Sequence, residues 1–291
     1  MHVSIILPAY NEEEAIGKVI DDVTFAMNNS SYKDEYEILV IDDVSQDSTA
    51  EIAQTKAARV IKRKVRGGSG ASRKTGILES KGEIIVMLDA DDTYTASDIP
   101  KMLEFFPEYD QVNGARDSEK GTIKFLRVPT KWVIRKIASY LTGVNIPDLN
   151  TGFKAFKKEL MLKYMWVIPD GFSCVTTMTL AFLCNGHSVK YLPTNYKKRK
   201  GSSKFHIVKD TSKYLQTVIR MIIYFNPLKF FLPFFVVVFS IGILKVLVEF
   251  IWLSHRVQAS SIIIILASVN IFFFGVIADL LVSQQKARNN A

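Results

Sequence analysis

Short apolar runs alternate with amphipathic stretches through the first half of the chain, and the last quarter turns into long apolar segments. Val3-Ser-Ile-Ile-Leu7, Glu37-Ile-Leu-Val-Ile41 and Glu83-Ile-Ile-Val-Met-Leu88 are compact, β-rich runs. Between them the pattern changes to helical spacing, from about Glu12 to Met27 and again from about Ser48. Brief apolar strands separated by helices are what a mainly parallel sheet covered on both faces requires, so the pattern predicts an α/β open sheet. Ligands of such sheets bind outside the carboxyl ends of the strands. That rule points to three polar turns: Tyr10-Asn11-Glu12, Asp42-Asp43 and Asp89-Ala90-Asp91-Asp92.

The C-terminal pattern is different in kind. Phe230 to Leu244 carries no charge, and the apolar run continues to Leu253 with only Lys245 and Glu249 interrupting it. Ser260 to Val282 is a second such run, with Asp279 near its end. Each reaches the roughly 20 residues that a helix needs to cross a hydrocarbon core. Phe230-Phe-Leu-Pro-Phe-Phe-Val-Val-Val-Phe239 is apolar on every helical face, which argues against a buried core helix. Lys245 and Glu249 lie one turn apart and are expected to pair or to snorkel to the interface. The short link predicts a hairpin spanning 229–285, with helices at about 230–253 and 260–282. Lys213, Arg220 and Lys229 before it, and Lys286 and Arg288 after it, outnumber Arg256 in the link. The positive-inside rule therefore predicts an integral membrane protein whose N-terminal domain and both termini are cytoplasmic.

Charge refines this. Of 291 residues 48% are hydrophobic, and the net charge is +8, which fits an anionic partner. Much of the excess is local: Lys197 to Arg220 holds eight Lys/Arg and one acid, Asp210. Ile207, Thr211, Tyr214, Leu215, Val218 and Ile222 recur there at helical spacing, predicting an amphipathic juxtamembrane segment at 206–228 after a domain at 1–205. The alternative is a solvated basic face held near anionic lipid. No aromatic-rich basic face or motif supports nucleic-acid binding. Cys174 and Cys184 fit neither a disulfide framework nor a zinc pattern and are expected as free thiols. The opening run Val3–Leu7 is too short for a leader and reads as a strand.

Asp89-Ala90-Asp91 closes an apolar strand with two carboxylates at i, i+2, a spacing that sets both on one side. Such a pair suits a hard divalent cation, Mg²⁺ or Mn²⁺, that keeps positions open for diphosphate oxygens. An isolated Asp-x-Asp is more often a solvated turn. Here the apolar strand before it, and the second acidic strand end at Asp42-Asp43, favour the cation.

Pro8-Ala-Tyr-Asn-Glu-Glu13, Val40-Ile-Asp-Asp-Val-Ser-Gln-Asp-Ser-Thr49 and Asp89-Ala-Asp91 together resemble the family-two inverting glycosyltransferases of GT-A fold. Pro147-Asp148-Leu-Asn-Thr-Gly-Phe-Lys-Ala-Phe156 and Tyr196-Lys-Lys-Arg199-Lys-Gly201-Ser-Ser-Lys204 are similar to the polyisoprenyl-phosphate branch, typified by dolichol-phosphate mannose synthases. The resemblance implies a Rossmann-like, mainly parallel sheet, a UDP- or GDP-linked sugar donor and a polyisoprenyl phosphate acceptor. It places Pro8, Tyr10 and Glu12 along the nucleotide, Asp42 or Asp43 on its base, and Asp89 and Asp91 on the metal and diphosphate. It sets Arg116, Arg127, Arg199 and Lys204 toward the acceptor phosphate, with Arg135 a rival to Arg127. Asp91, Asp148 and Arg199 are the residues nearest the chemistry, with Asp148 either a base or a group that positions acceptor or sugar. Gly171-Phe-Ser-Cys-Val-Thr-Thr177 lacks an acid that many relatives carry, and the loop Arg66-Gly-Gly-Ser-Gly70 reads as a turn beside the nucleotide.

The chemistry is coherent on its own terms. Displacing a nucleoside diphosphate needs charge neutralised on the leaving group. A hydroxyl acceptor needs a base, whereas a phosphate monoester, with a second pKa near ~6, is already a dianion and needs only cations to orient it. A polysaccharide synthase acting on hydroxyls would share the nucleotide and metal motifs, but the chain lacks a Gln-x-x-Arg-Trp motif. A non-catalytic scaffold sits poorly with the intact Asp89/Asp91 pair. The sequence leaves oligomeric state open.

Overall fold

The computed structural model describes residues 2–116, 135–140, 142–171, 173–197, 216–217, 219–221, 223–252 and 257–290, the last six by backbone alone. The chain forms two compact units, Met1–Val218 and Ile219–Ala291.

The first unit is a seven-stranded sheet in the order β3-β2-β1-β4-β6-β5-β7. Its strands are β1 (Val3–Ala9), β2 (Tyr36–Asp42), β3 (Arg59–Lys62), β4 (Ile84–Met87), β5 (Gln111–Arg116), β6 (Lys154–Lys157) and β7 (Val189–Thr194). All run one way except β6, which is antiparallel to both neighbours. The reversal has a simple cause. β5 ends at the carboxyl edge, and the chain re-enters the sheet at that same edge through Asp148–Phe153, so β6 runs backward. The helices are α1 (Ile16–Asn28), α2 (Thr49–Gln54), α3 (Ser69–Glu79), α4 (Ile99–Leu103), α5 (Lys158–Lys163) and α6 (Cys174–Cys184).

Alternation along β1 sorts the core into two layers. Val3, Ile5 and Leu7 pack with Ile16, Ile20 and Val23 of α1, while Ile6 points to the other face with Met87, Phe156 and the α6 residues Met178 and Phe182. The sheet thus carries helices on both faces, as the apolar strands predicted. Helix α1 begins four residues later than its periodicity indicates. Glu12 closes a turn with Ala15, and its backbone N–H is taken by Thr49 Oγ1 at 2.8 Å. Strands β3, β5, β6 and β7 were not separated from their surroundings by hydrophobic pattern.

The second unit is a hairpin of α7 (Pro227–Trp252) and α8 (Ala259–Asn290). Both contain spans of mean hydropathy 2.5, long and apolar enough to cross a membrane. Small residues set their contact: a side chain at Gly242 would meet Ile265, and one at Gly275 would meet Phe231, each at 2.8 Å. Outward-facing Phe234, Val237, Ile241, Ile263, Phe273 and Leu281 are exposed, which suits lipid rather than water. Lys245 and Glu249 do pair, at 3.5 Å. Glu249 also accepts from Ser261 Oγ at 2.7 Å and from the Gln258 N–H at 3.0 Å, which caps the start of α8. Of the predicted amphipathic helix, residues 206–215 lie outside the described residues, and 219–221 and 223–225 are helical.

Candidate active site

Six strand ends and the entry to β6 meet at one edge of the sheet. β1 pairs with β4 only as far as Ile6 opposite Met87, while its pairing with β2 continues to Ala9 opposite Asp42. Beyond Ile6 a crevice therefore opens between β1 and β4, at the point where the strand order reverses. Pro8 sits in β1 on the far side of that point, where its missing N–H leaves no gap in the β4 ladder.

Three turns surround the crevice, and each contains a non-glycine residue in the left-handed region: Asn11 (φ 51°) after β1, Val44 (φ 64°) after β2 and Asp92 (φ 56°) after β4. For a β-branched residue such as Val44 this conformation is costly, and such strain concentrates at functional sites. The first two turns interlock. Asn11 N–H donates to Ser45 Oγ at 3.0 Å, Gln46 N–H to Asn11 Oδ1 at 2.9 Å and Ser48 N–H to Glu13 Oε2 at 3.0 Å. Several of the polar residues of these two motifs therefore hold each other.

Asp42 and Asp43 differ in how they are engaged. Asp43 Oδ1 accepts from Arg63 Nη1 at 2.6 Å and from the Gly67 N–H at 2.9 Å, and its Oδ2 accepts from the Gly68 N–H at 2.7 Å. Gly68 has φ +88°, so glycine is required there for the loop to wrap the carboxylate. Among the described residues Asp42 Oδ2 accepts only from the Ser45 N–H at 3.3 Å, and its buried Oδ1 has no partner. The same glycine loop sends Arg66 over the Tyr10 ring, 3.9 Å from its centre.

At the end of β4, Asp89 is ion-paired to the buried Arg73 of α3, which also bonds Ser69 Oγ. Asp91 Oδ1 is held by the Thr93 hydroxyl at 2.5 Å and the Thr93 N–H at 3.3 Å. Gly152 lies directly against the Asp89 carboxylate, and a Cβ there would overlap it. The Gly152 N–H is itself fixed by the Tyr94 hydroxyl at 2.9 Å. Gly152→Ala is therefore expected to displace Asp89 and cut activity by about 10²-fold with little change in unfolding midpoint, measured by kinetics beside thermal melts.

These carboxylates fit a divalent cation. They are hard oxygen donors at the carboxyl edge, and the glycine that a Cβ would fill keeps Asp89 accessible to one. The described residues hold no cluster of three His, Cys, Asp or Glu side chains, so Asp89 and Asp91 would share the ion with phosphate oxygens.

Across the crevice, Arg116 at the end of β5 forks onto Asp148, with Nε to Oδ2 at 2.7 Å and Nη2 to Oδ1 at 3.0 Å. The Asn150 N–H adds a bond to Asp148 Oδ1 at 3.0 Å, and Tyr196 packs beneath the guanidinium, 5.2 Å from ring centre to Cζ. Burial by itself would raise the Asp148 carboxyl, but the Arg116 hydrogen bonds and charge outweigh it and hold the group below the usual carboxylate range. Asp92 bridges Lys18 at 2.8 Å and Lys197 at 3.4 Å, tying the β4 turn to the chain that leaves β7.

The site thus brings Tyr10, Asp42, Asp43, Asp89, Asp91, Arg116 and Asp148 to one edge. Arg127, Arg199 and Lys204 lie outside the described residues, and Arg135 donates to the Pro147 carbonyl at 3.1 Å. Arg73 has no place in the sequence reading, and Arg66, Gly152 and Lys154 enter it only inside longer motifs, without a role of their own. Arg66 beside a Gly-Gly pair was the one local signal available. Cys174 and Cys184 are free thiols, as expected.

An open α/β sheet with an acidic strand end at its switch point is an arrangement suited to a phosphorylated ligand and its cation, and the sequence comparisons name the family. The chain belongs to glycosyl transferase family 2, whose profile matches residues 4–165, and a second profile, the GtrB C-terminal hairpin, matches residues 226–283. It is a glycosyltransferase. It is 32% identical to the glycosyltransferase AglJ of Haloferax volcanii, over 97% of this chain and 94% of that one. It is 29% identical to a dolichyl-phosphate hexose transferase of the same organism, over 69% and 86% of the two chains. It is 26% identical to an undecaprenyl-phosphate mannosyltransferase of Micrococcus luteus, over 70% and 87%. Among solved structures, glucosyl-3-phosphoglycerate synthase of Mycobacterium tuberculosis, bound to Mn²⁺, UDP and glucosyl-3-phosphoglycerate, shares the fold. Its TM-score is 0.61 at 17% identity, over 76% of this chain and 79% of that one.

Proposed function

We propose that this glycosyltransferase moves a hexose from a UDP- or GDP-linked donor to the phosphate of a polyisoprenyl lipid, dolichyl or undecaprenyl, with inversion at the anomeric carbon. The observation that carries this reading is the state of Asp148. A base would need a carboxylate with an elevated pKa and an open oxygen. Asp148 is held ionised and low by Arg116 and Asn150. Among the described residues the acceptor side thus offers an oriented cation and no carboxylate suited to act as a base, which suits a nucleophile that is already an anion. The sequence likeness to transferases named for dolichyl and undecaprenyl phosphates supports the same acceptor class.

In this mechanism Asp42 takes an N–H of the base on its unpartnered oxygen, and Tyr10 with Arg66 offers the base a planar face. Asp43 shapes the loop around them. Asp89 and Asp91 hold Mg²⁺ or Mn²⁺, which when bound neutralises charge on the departing diphosphate. Arg116, fixed by Asp148, orients the acceptor phosphate together with Arg127, Arg199 and Lys204. A phosphate oxygen forms the new bond to the anomeric carbon as the bond from that carbon to the donor's diphosphate oxygen breaks. The electron pair leaves with the nucleoside diphosphate, and no proton is transferred. In this reading residues 1–205 form the catalytic domain, 206–228 a juxtamembrane segment and 229–285 the anchor. Lys and Arg flanking the hairpin set the catalytic domain and both termini on the cytoplasmic face.

The test is transfer by the purified full chain, with Mg²⁺ or Mn²⁺, from a panel of UDP- and GDP-sugars to a polyprenyl phosphate. A lipid-phosphate-linked sugar that forms without a free hydroxyl acceptor is expected. Transfer to a sugar or lipid hydroxyl alone would replace this reading with that of a membrane glycosyltransferase of polysaccharide or glycolipid synthesis.

A further inference from the structure

Two cations of the catalytic unit are buried among the described residues, Arg73 and Lys154. Arg73 is neutralised by Asp89. Lys154, at the start of β6, is fully inaccessible and has neutral partners only: its ammonium donates to Thr179 Oγ1 at 2.6 Å and to Asn113 Oδ1 at 3.4 Å. No carboxylate among the described residues lies within ion-pair distance of it. A methionine would fill this position without the cost of an unneutralised buried charge.

The partners of Lys154 lead to the acceptor side. Asn113 lies on β5, the strand that ends in Arg116, and also accepts from Gln111 Nε2 at 2.7 Å. Thr179 lies on α6, whose Thr176 holds the Asn150 side chain at 2.6 Å, and Asn150 in turn holds Asp148. Lys154 thus braces β5, which carries Arg116, and α6, which through Thr176 and Asn150 supports the loop that carries Asp148. Arg73 has Asp89 and Arg116 has Asp148 as ion-pair partners, whereas Lys154 has none among the described residues.

We infer that Lys154 is a positioning residue of the acceptor side, a buried positive charge that braces β5 and α6 behind the Arg116–Asp148 pair and draws an incoming phosphate dianion toward it. In a low-dielectric interior an uncompensated charge acts over a longer distance than at the surface. The inference rests on the proposed phosphate acceptor. The charged and titratable groups that act on Lys154 are Asp148 from the loop before β6, Arg73 from α3, Cys174 from α6 and Arg116 from β5; Tyr191 of β7 lies across the ladder beside Asn113. Burial, the largest influence, lowers the ammonium to about 7, so its charge is lost as pH rises through neutrality.

The experiment compares the full-length wild type with Lys154→Met and Thr179→Val, measuring KM for polyprenyl phosphate and for donor, unfolding midpoint and pH dependence. For Lys154→Met the acceptor KM is expected to rise about tenfold, the donor KM to stay within about twofold, and the midpoint at pH 6 to hold or increase. Wild-type acceptor KM is expected to climb from pH 7 to 9, with Lys154→Met flat across that range and Thr179→Val intermediate. A folded-state value below the unfolded 10.5 means the unfolded chain binds more protons between about 7 and 10.5. Wild-type stability relative to Lys154→Met should therefore rise with pH across that window. An unchanged acceptor KM in Lys154→Met, or equal losses for both substrates with a lowered midpoint, overturns the inference alone. Should Lys154→Met not fold, a wild-type acceptor KM constant from pH 7 to 9 overturns it. A wild type that ignores lipid phosphate removes the acceptor reading, and this inference with it.

Discussion

Asp91→Ala is expected to lower kcat by about 10³-fold at saturating donor and metal, with the unfolding midpoint nearly unchanged. The leaving nucleoside diphosphate gains charge as its bond to the sugar breaks, and the Asp89/Asp91 pair is the group at the crevice suited to hold a cation against it. On the proposed mechanism, losing one of two protein ligands removes stabilisation that matters most in the transition state, so kcat falls more than donor KM rises. The fold should tolerate the change. Asp91 sits in a turn after β4, and the hydrogen bonds it accepts from the Thr93 hydroxyl and N–H lie within that turn. Chelation of the wild type should reproduce the loss and excess Mn²⁺ or Mg²⁺ should reverse it, while Asp91→Ala gains nothing from added metal. Activity within tenfold of wild type would remove the dicarboxylate from the mechanism.

Arg116→Met carries the second large effect, and it acts twice. On the proposed mechanism the acceptor phosphate loses the Arg116 guanidinium, which is expected to lower kcat/KM for lipid phosphate by about 10²-fold or more. Asp148 is also left mostly buried without its partner, at a cost of up to about 3 kcal/mol. The double variant Arg116→Met/Asp148→Asn separates the two. It should regain much of the stability, because no uncompensated charge remains, without regaining acceptor binding. Asp148→Asn by itself should leave the pH profile of kcat without a lost limb, since a carboxylate held low stays ionised across the working range. A vanished acid limb in that variant would instead make Asp148 the base of a hydroxyl-directed transferase.

The glycine loop shows how far local pattern reached. Arg66-Gly-Gly-Ser-Gly70 reads from sequence as a turn beside the nucleotide, and it is a turn, but its purpose there is to surround Asp43 with two backbone N–H groups. Asp42 and Asp43 are equivalent on paper. They separate only when β3 and the following loop deliver Arg63, Gly67 and Gly68 to one of them and not the other. Arg73 and Lys154 illustrate the converse. Each is an ordinary basic residue in the sequence, and each proves buried because a helix or an antiparallel strand carries it under the site.

By itself the sequence determined the alternation of apolar strands and helices, the acidic turns that follow β1, β2 and β4, and the two long apolar segments at the C-terminus. Those features depend on neighbours a few residues apart, through side-chain period, turn chemistry and length against a hydrocarbon core. Only the tertiary structure decided which carboxylate is engaged and which is open, that β6 runs against its neighbours, and that Gly152 makes room for Asp89. It also decided that Arg116 and Asp148, 32 residues apart, share one pair of hydrogen bonds. Such relations arise from contacts between distant segments, where packing and burial, rather than local propensity, set what each charge meets.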